Sequence, residues 1–165
     1  MQQASVPEKP VGLVDDEQIV APAPMVVRRF IKFGDTDAAG VVYSGRFLDF
    51  ALEAFDTLLR VGFDLGWPQQ EASGVGTPAV SFHLEFSRSL RAGDQLDIEI
   101  LIDRIGGGSF TVRTVGRNAR AEDVFYATMI FASVTNDDRK SVKLPDWLRS
   151  KLEAYVASCE AGKGA

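Results

Sequence analysis

The 165-residue chain is long enough for one domain with a substantial hydrophobic core. Its net charge of −5 and pI near 4.9 argue against a nucleic-acid-binding protein, which needs clustered lysines and arginines to neutralise phosphates. The single cysteine excludes a disulfide framework within the chain, no metal-ligand spacing is present, and no apolar run is long enough to span a membrane. We therefore expect a cytoplasmic protein with no metal, nucleic-acid or membrane partner.

The chain is predicted to have one folded domain with short flexible ends. Residues 1–24 contain four prolines and an acidic run and are interpreted as a flexible leader, followed by a domain over residues 25–158 and a flexible tail over residues 159–165. A first strand is expected within residues 25–33, where β-favouring residues end at a Gly-Asp turn signal. A long helix follows, from about residue 45 to 61. Its charges form one narrow stripe, so the remaining apolar surface must be covered on several sides.

Four further strands are predicted after the helix, from alternating apolar and polar residues. They cover residues 79–86, 95–103, 109–117 and 124–134, and short turn-rich links favour antiparallel neighbours. A terminal helix is expected over residues 146–157, because Pro145 precedes an amphipathic segment. This order predicts an α+β fold in which a five-stranded antiparallel sheet wraps around a long central helix.

Most common catalytic signatures are absent from the sequence. There is no G-x-S-x-G nucleophile motif, and the only histidine, His83, falls on the polar face of a strand, where we interpret it as solvated. The triple glycine at residues 106–108 separates two strands and is interpreted as a turn. Asp35 and Asp37 have no further metal-ligating cluster beside them.

The stretch FGDTDAAGVVYSG, which leads into the long helix, offers two interpretations. Asp35 or Asp37 could cap a helical turn and take no part in chemistry. Alternatively, the free N–H groups and positive dipole end of the helix could stabilise a developing oxyanion, with a carboxylate beside it acting as general base or nucleophile. The spacing of the residues does not decide between the two.

The sequence resembles the hotdog-fold acyl-CoA thioesterases, specifically the 4-hydroxybenzoyl-CoA thioesterase family with its D-x-D-x-A-G-[IV]-V motif. The resemblance covers about residues 26–155 and rests on FGDTDAAGVVY, the long helix, GTPAVSFHLEFSRSLRAGDQLDIEI and GGGSFTVR. It implies a hotdog fold and hydrolysis of an acyl-CoA thioester to free acid and coenzyme A. It also implies a homodimer or homotetramer with active sites between subunits. Water is the second substrate, and no cofactor is needed besides the coenzyme A carried by the substrate.

The resemblance also implies a set of site residues. Asp37 matches the catalytic carboxylate, as nucleophile or as base for water, and Ser44 matches the position whose backbone N–H polarises the thioester carbonyl. The triple glycine lacks the basic residues that relatives use to grip coenzyme A phosphates, so arginines elsewhere are candidates for that role. The predicted substrate-binding residues are Gly40, Tyr43, Thr77, Ser109, Arg88 and Arg113.

An aromatic acyl group is favoured, but departures from the family pattern leave its identity open. Ser44 and Phe47 replace larger or more polar residues, and Ala38 replaces a proline, so exact 4-hydroxybenzoyl specificity does not follow. The alternatives are a thioesterase for short aliphatic acyl-CoA and a non-catalytic acyl-CoA-binding or sensing module. A structural or interaction protein would leave the DTDAAG loop unexplained, and a dehydratase on the related fold lacks an evident Asp-His pair.

Overall fold

A computed structural model describes residues 17–162, which form one antiparallel sheet, a central helix and a long terminal helix. The strands of the main sheet are β1 (Gln18–Pro22), β2 (Met25–Phe30), β4 (Ala79–Phe86), β5 (Gln95–Ile105), β6 (Ser109–Asn118) and β7 (Asp123–Ala132). Their order across the sheet is β1-β2-β5-β6-β7-β4. Two further short strands, β3 (Val75–Gly76) and β8 (Val134–Thr135), pair with each other.

The long predicted helix is present and forms the centre of the core. It consists of α1 (Arg46–Thr57), which continues as a π-helical turn over Leu58–Gly62. Side chains on several sides of α1 are buried, as its nearly continuous apolar sequence requires. The sheet wraps around it with alternate residues of its strands pointing inward. The inward-facing residues with no exposed surface include Leu96, Ile98 and Ile100 of β5, Val112 of β6 and Met129 of β7.

The terminal helix, α3 (Asp146–Gly162), packs on β5 and fixes one end of the sheet. Its Tyr155 hydroxyl accepts a hydrogen bond from the Met25 N–H (2.7 Å) and donates one to the Ile100 carbonyl (2.8 Å). Burial raises the pKa of this hydroxyl. A short helix, α2 (Trp67–Ala72), follows the central helix, and a 3-10 turn covers Phe33–Asp35. Among residues 17–162, no helix combines the length and apolar character needed to cross a membrane.

The α+β architecture with a sheet wrapped around a long helix is confirmed, but the sheet has six strands where five were expected. The additional strand, β1, lies within the predicted leader, of which residues 1–16 are outside the described part of the chain. Ile19 and Val20 favour extended structure, and Pro22 is tolerated because β1 is an edge strand.

The predicted tail also differs from the structure, because α3 continues through residue 162. The sequence there contains no proline, and Cys159 is buried against the core, so helix propensity and packing both extend the helix beyond residue 158. Residues 163–165 are outside the described part of the chain.

Strand β4 lies at the other edge of the sheet and is less covered than its sequence suggested. It pairs with β7 on one side, and no strand among residues 17–162 pairs with its other side. The alternating apolar residues that were expected to cover the helix remain exposed: Val80 by 61%, Phe82 by 42% and Phe86 by 49%. An unpaired strand edge beside exposed apolar side chains is a surface on which another chain can pair.

Candidate active site

Asp37 lies at the tip of a tight turn that precedes α1. The two sides of this turn are joined by a β-bridge between Thr36 and Val42. The Asp37 N–H donates to the Val41 carbonyl, and the Gly40 N–H donates to the Asp37 carbonyl, each over 2.9 Å. Gly40 has a φ of +73°, which glycine adopts without the steric penalty of a side chain. The DTDAAG sequence therefore folds into a closed turn with Asp37 on its exposed side.

The Asp37 carboxylate is oriented but accessible. Its Oδ1 accepts a hydrogen bond from the Ala39 N–H (2.8 Å), which forms a local Asx turn. No residue in the range 17–162 donates a hydrogen bond to its Oδ2, and the side chain is exposed. One oxygen fixes the direction of the carboxylate, and the other is available to accept a proton or attack a carbonyl.

The start of α1 offers the backbone donor that the motif predicts. The Arg46 N–H donates to the Tyr43 carbonyl (2.9 Å) and the Phe47 N–H donates to the Ser44 carbonyl (3.3 Å), which closes the first helical turn. The N–H of Ser44 itself donates to no acceptor within residues 17–162. A free N–H at the positive end of a helix dipole is suited to stabilise an oxyanion.

Tyr43 lies directly against this helix start. Its side chain is exposed, and a Cβ added at Gly45 would lie 2.7 Å from its ring carbon Cε1. Only glycine at position 45 therefore allows the Tyr43 ring to pack so closely. Gly40 and Tyr43, both predicted to bind substrate, thus lie in the same turn as Asp37 and Ser44.

Asp35 is structurally different from Asp37, although only one residue separates them. Its side chain is 3% exposed and accepts hydrogen bonds from the Lys32 N–H (2.9 Å) and from Arg46 Nε and Nη2 (2.9 and 2.8 Å). Burial alone would raise the pKa of this carboxyl, but the Lys32 N–H and the Arg46 guanidinium outweigh burial and hold the pKa below its usual value. Asp35 is therefore a structural residue whose charged form is favoured, and the capping interpretation applies to it.

Thr77 and Ser109 lie at the opposite end of the sheet from Asp37. Ser109 pairs with Ala132 across the sheet. The Ala132 N–H in turn donates to the Pro78 carbonyl over 3.0 Å, so Ser109 lies near Thr77, the residue before Pro78. The Asp37 turn instead contacts the segment that follows β4, through the hydrogen bond from the Val42 N–H to the Leu90 carbonyl (2.8 Å). The eight residues of β4 separate these two ends by about 25 Å. A single protomer therefore does not bring Thr77 and Ser109 to Asp37.

A cavity of about 330 Å³ lies beside Thr77. Its walls include Trp67 at the start of α2, the Thr77-Pro78 segment, and Arg139. Sequence analysis missed Trp67, which begins α2, and Arg139, which follows β8 and comes near the cavity because β8 pairs with β3. The Gly-Trp-Pro sequence at residues 66–68 is a helix-start signal that could have located Trp67, whereas Arg139 carries no local signal.

The two arginines predicted to grip coenzyme A occupy different surfaces. Arg88 follows β4 at the same end of the sheet as Asp37, is exposed, and lies 3.5 Å from Glu122. Arg113 lies mid-strand in β6 and pairs with Asp103 (2.9 Å). Its neighbours Val112 and Thr114 are buried towards the helix, so Arg113 points to the outer face of the sheet. Of the two, only Arg88 lies at the end of the sheet that holds Asp37.

Two other sequence interpretations can be compared with the structure. His83 is exposed, with its Nε2 2.9 Å from Glu85 Oε1, as expected for a solvated strand residue. Phe47, a candidate to enlarge the pocket, is instead buried in the core, with its ring 5.3 Å from Phe86 and 5.2 Å from Phe125.

Comparison with known proteins identifies the family of the chain. The family model of the thioesterase-like superfamily matches residues 31–152, more than half of the chain. The chain belongs to this superfamily. The predicted hotdog fold and the predicted class of thioester hydrolase are thereby confirmed.

Named relatives of this thioesterase-like chain act on aromatic acyl-CoA. A 1,4-dihydroxy-2-naphthoyl-CoA hydrolase from Prochlorococcus marinus is 30% identical over 78% of this chain and 86% of its own length. A 1,4-dihydroxy-2-naphthoyl-CoA hydrolase from Crocosphaera subtropica is 32% identical over 78% of this chain and 98% of its own. A crystal structure of a thioesterase-superfamily protein from Jannaschia sp. has 29% identity and a TM-score of 0.72, covering 78% of this chain and 90% of that one. These relatives support the superfamily but do not single out the 4-hydroxybenzoyl-CoA branch.

Proposed function

We propose that this protein hydrolyses aromatic acyl-CoA thioesters, with Asp37 as the catalytic carboxylate and the Ser44 N–H as the oxyanion donor. The observation that carries the proposal is the pairing of an oriented, accessible carboxylate with an unbonded N–H at the start of a buried helix. Water and the acyl-CoA are the two substrates, no metal or redox cofactor takes part, and the compartment is the cytoplasm.

The chemistry requires both groups. In the general-base route, Asp37 accepts a proton from water while the water oxygen attacks the thioester carbonyl. In the nucleophilic route, an Asp37 oxygen attacks and forms an anhydride that water then hydrolyses. In either route the carbonyl oxygen becomes negatively charged, the Ser44 N–H stabilises it, and the C–S bond breaks to release the coenzyme A thiolate.

Assembly of two protomers would supply the substrate groups that the Asp37 end lacks. If the free edge of β4 pairs antiparallel with β4 of a second copy about a two-fold axis, the Thr77 end of each protomer meets the Asp37 end of its partner. Val80, Phe82 and Phe86 would be covered in this arrangement. We therefore propose a homodimer, alone or within a homotetramer, with each site built from both subunits.

The cavity beside Thr77 supports an aromatic acyl group. Its volume of about 330 Å³ falls at the small end of the range for small-molecule sites, which suits one or two rings. Trp67 offers a flat ring for stacking. Since the named relatives act on 1,4-dihydroxy-2-naphthoyl-CoA, we favour a hydroxylated naphthoyl or 4-hydroxybenzoyl group over a short aliphatic one.

Release of free thiol from a panel of thioesters tests the proposal. We expect kcat/KM for 1,4-dihydroxy-2-naphthoyl-CoA and 4-hydroxybenzoyl-CoA to exceed that for acetyl-CoA by about 100-fold or more, because acetyl is too small to fill the cavity or to stack on Trp67. Higher kcat/KM for acetyl-CoA would favour the short aliphatic alternative. Tight binding of every thioester with no thiol release would favour the acyl-CoA-binding module.

Asp37→Asn tests the residue assignment. The change preserves the size of the side chain but removes its charge, so kcat should fall by about 10²–10⁴-fold, while Kd for a non-hydrolysable substrate analogue changes little. Asp64→Asn is the matched control, since Asp64 is an exposed loop aspartate beyond the far end of the central helix. Asp37→Asn retaining more than about a tenth of wild-type kcat, a barrier change under about 1.4 kcal/mol, would refute the role of Asp37.

A further inference from the structure

Arg46, the first residue of α1, folds back across the turn that carries Asp37. Its Nε and Nη2 both donate to Asp35 Oδ1, over 2.9 and 2.8 Å, and its Nη1 donates to Asp49 Oδ2 over 2.5 Å. Asp35 lies two residues before Asp37 and is buried, whereas Arg46 lies two residues after Ser44. One ion pair therefore joins the segment before the proposed carboxylate to the segment after the proposed oxyanion donor.

Backbone hydrogen bonds extend this connection to both sides of the turn. The Asp35 carbonyl accepts a hydrogen bond from the Tyr43 N–H (2.9 Å), while the Asp35 side chain also accepts one from the Lys32 N–H (2.9 Å). Asp35 thus holds the entry of the turn through its side chain and the exit through its backbone. Within residues 17–162, every hydrogen bond of Asp37 stays inside the turn, so its position relative to the helix start depends on how the turn is held.

Arg46 also contacts the core through the ring of Phe50. Its guanidinium carbon lies 5.2 Å from the centre of the Phe50 ring, and the guanidinium of Arg29 lies over the same ring at 3.9 Å. Arg29 is buried and paired with Glu17 (3.1 Å) and with Glu53. These contacts join the ion pair to the first turns of α1 and to β2, which are rigid parts of the core.

We propose that Arg46 and Asp35 are positioning residues, which together hold Asp37 in register with the Ser44 N–H. This inference rests on the proposed function of those two groups. Catalytic groups must stay within about 0.5 Å of their working positions, and a displacement of about 1 Å can lower the rate by about 100-fold. Removing Arg46 leaves the buried Asp35 carboxylate without its ion-pair partner, and removing the Asp35 charge leaves Arg46 paired with Asp49 alone, so either change releases the link across the turn.

The test compares Arg46→Met, Asp35→Asn and the double variant for kcat, KM and thermal midpoint. We expect each single variant to lower kcat by about 10–100-fold while KM changes by less than about threefold, because the proposed acyl cavity beside Thr77 and the coenzyme A arginine Arg88 lie outside this turn. The double variant should be no slower than the slower single variant, since both changes break the same pair. Arg60→Met is the matched control: Arg60 also pairs with a helical aspartate, Asp56 (2.8 Å), at the far end of the helix, and its loss should leave kcat unchanged.

Two additional measurements separate positioning from general stability. Guanidinium ion at millimolar concentration should restore part of the kcat of Arg46→Ala and none of that of Arg60→Ala. Arg46→Lys keeps the charge and should retain more kcat than Arg46→Met. If Arg46→Met does not fold, the kcat of Arg46→Lys is compared with that of Arg46→Ala instead. A lowered thermal midpoint with kcat of the folded protein unchanged, and no effect of guanidinium, would overturn the proposal.

Asp37→Asn, measured in the same assay, distinguishes the two levels of inference. If Asp37→Asn loses activity while the Arg46 and Asp35 variants keep wild-type kcat, the positioning role fails and the proposed function stands. If Asp37→Asn keeps its activity, the proposed function fails and the positioning role fails with it.

Discussion

The two ends of β4 differ in the groups that they offer to the proposed thioesterase site. At the end where the strand finishes, the Asp37 turn rests on the segment around Leu90 and presents a carboxylate and a free N–H. At the end where the strand begins, the Thr77 region forms a cavity with an aromatic wall from Trp67. One end has groups suited to break a thioester, and the other has room for an acyl group. The distance between the two ends is the reason we propose a site completed by two chains, paired along β4 in opposite directions.

Phe82→Glu should have the largest effect, because it disrupts the proposed pairing of β4 with β4 of a second chain, which brings the two ends together. Phe82 is a half-exposed residue in the middle of β4, and a charge there would be buried without a partner in the paired dimer. We expect sedimentation to give the monomer mass of 18.0 kDa. We also expect kcat/KM to fall by at least about 100-fold, since each site loses half of its groups.

Val61→Glu is the control for this change. Val61 is a comparably exposed apolar residue near the end of the central helix, at a cavity formed by β1, β2 and α3. Its substitution should leave both mass and activity unchanged. A fully active Phe82→Glu monomer would show that a single chain holds a complete site.

Thr77→Trp should have the second largest effect, because it alters the cavity end alone. The larger side chain occupies the cavity and should raise KM for aromatic acyl-CoA by about 10-fold or more, equivalent to about 1.4 kcal/mol of lost binding, while the dimer stays intact. Substrate titration by thiol release measures KM, and sedimentation checks the mass. An unchanged KM for both aromatic and acetyl-CoA substrates would remove this cavity from the site.

Arg88→Ala should have a smaller effect, at the Asp37 end alone. An exposed arginine already near Glu122 contributes about 1 kcal/mol or less to binding an anion, so KM should rise by at most about fivefold at low salt, with kcat unchanged. The difference should shrink as salt shortens the Debye length. Arg104→Ala is the control, because Arg104 is also an exposed arginine but belongs to β5. A KM that does not respond to Arg88→Ala or to salt would mean that Arg88 does not bind coenzyme A.

Tyr155→Phe should have the smallest effect on activity, because Tyr155 belongs to neither end of β4. It removes a buried hydroxyl that bridges the Met25 N–H and the Ile100 carbonyl, so the free energy of unfolding should fall by about 1–3 kcal/mol. Urea unfolding measures this loss, and kcat should stay within about twofold of wild type. Tyr126→Phe, at a partly exposed hydroxyl, should lower stability less. A large loss of kcat in Tyr155→Phe would extend the site to α3.

At the Asp37 end, the sequence places the candidate residues close together, whereas their proposed roles come from the family resemblance and not from local patterns. Asp37, Gly40, Tyr43 and Ser44 lie within eight residues, so one turn places them together. The central helix and four strands were also predictable, since burial on several sides gives a nearly continuous apolar helix and one-sided burial gives alternation.

The remaining features depend on contacts between distant parts of the chain. The Asp35–Arg46 ion pair spans eleven residues, and no spacing rule reveals it. The separation of Thr77 from Asp37 depends on the order of the strands, in which β4 lies at the sheet edge, and the sequence does not give that order. β1 was missed because Pro22 at its end and Pro24 just after it are typical of a linker, although pairing with β2 overrides that preference.

Mixing two variants with different defects tests the central claim most directly, at a substrate concentration well below KM, where both the kcat loss of Asp37→Asn and the KM rise of Thr77→Trp lower the rate. Asp37→Asn and Thr77→Trp protomers, carrying different affinity tags, are unfolded and refolded together, and thiol release is measured on the mixture. If each site takes Asp37 from one chain and Thr77 from the other, half of the dimers contain both chains. Each such dimer has one intact site, so activity should recover to about a quarter of the wild-type value. Doubly tagged dimers without any recovered activity would contradict a site shared between two chains.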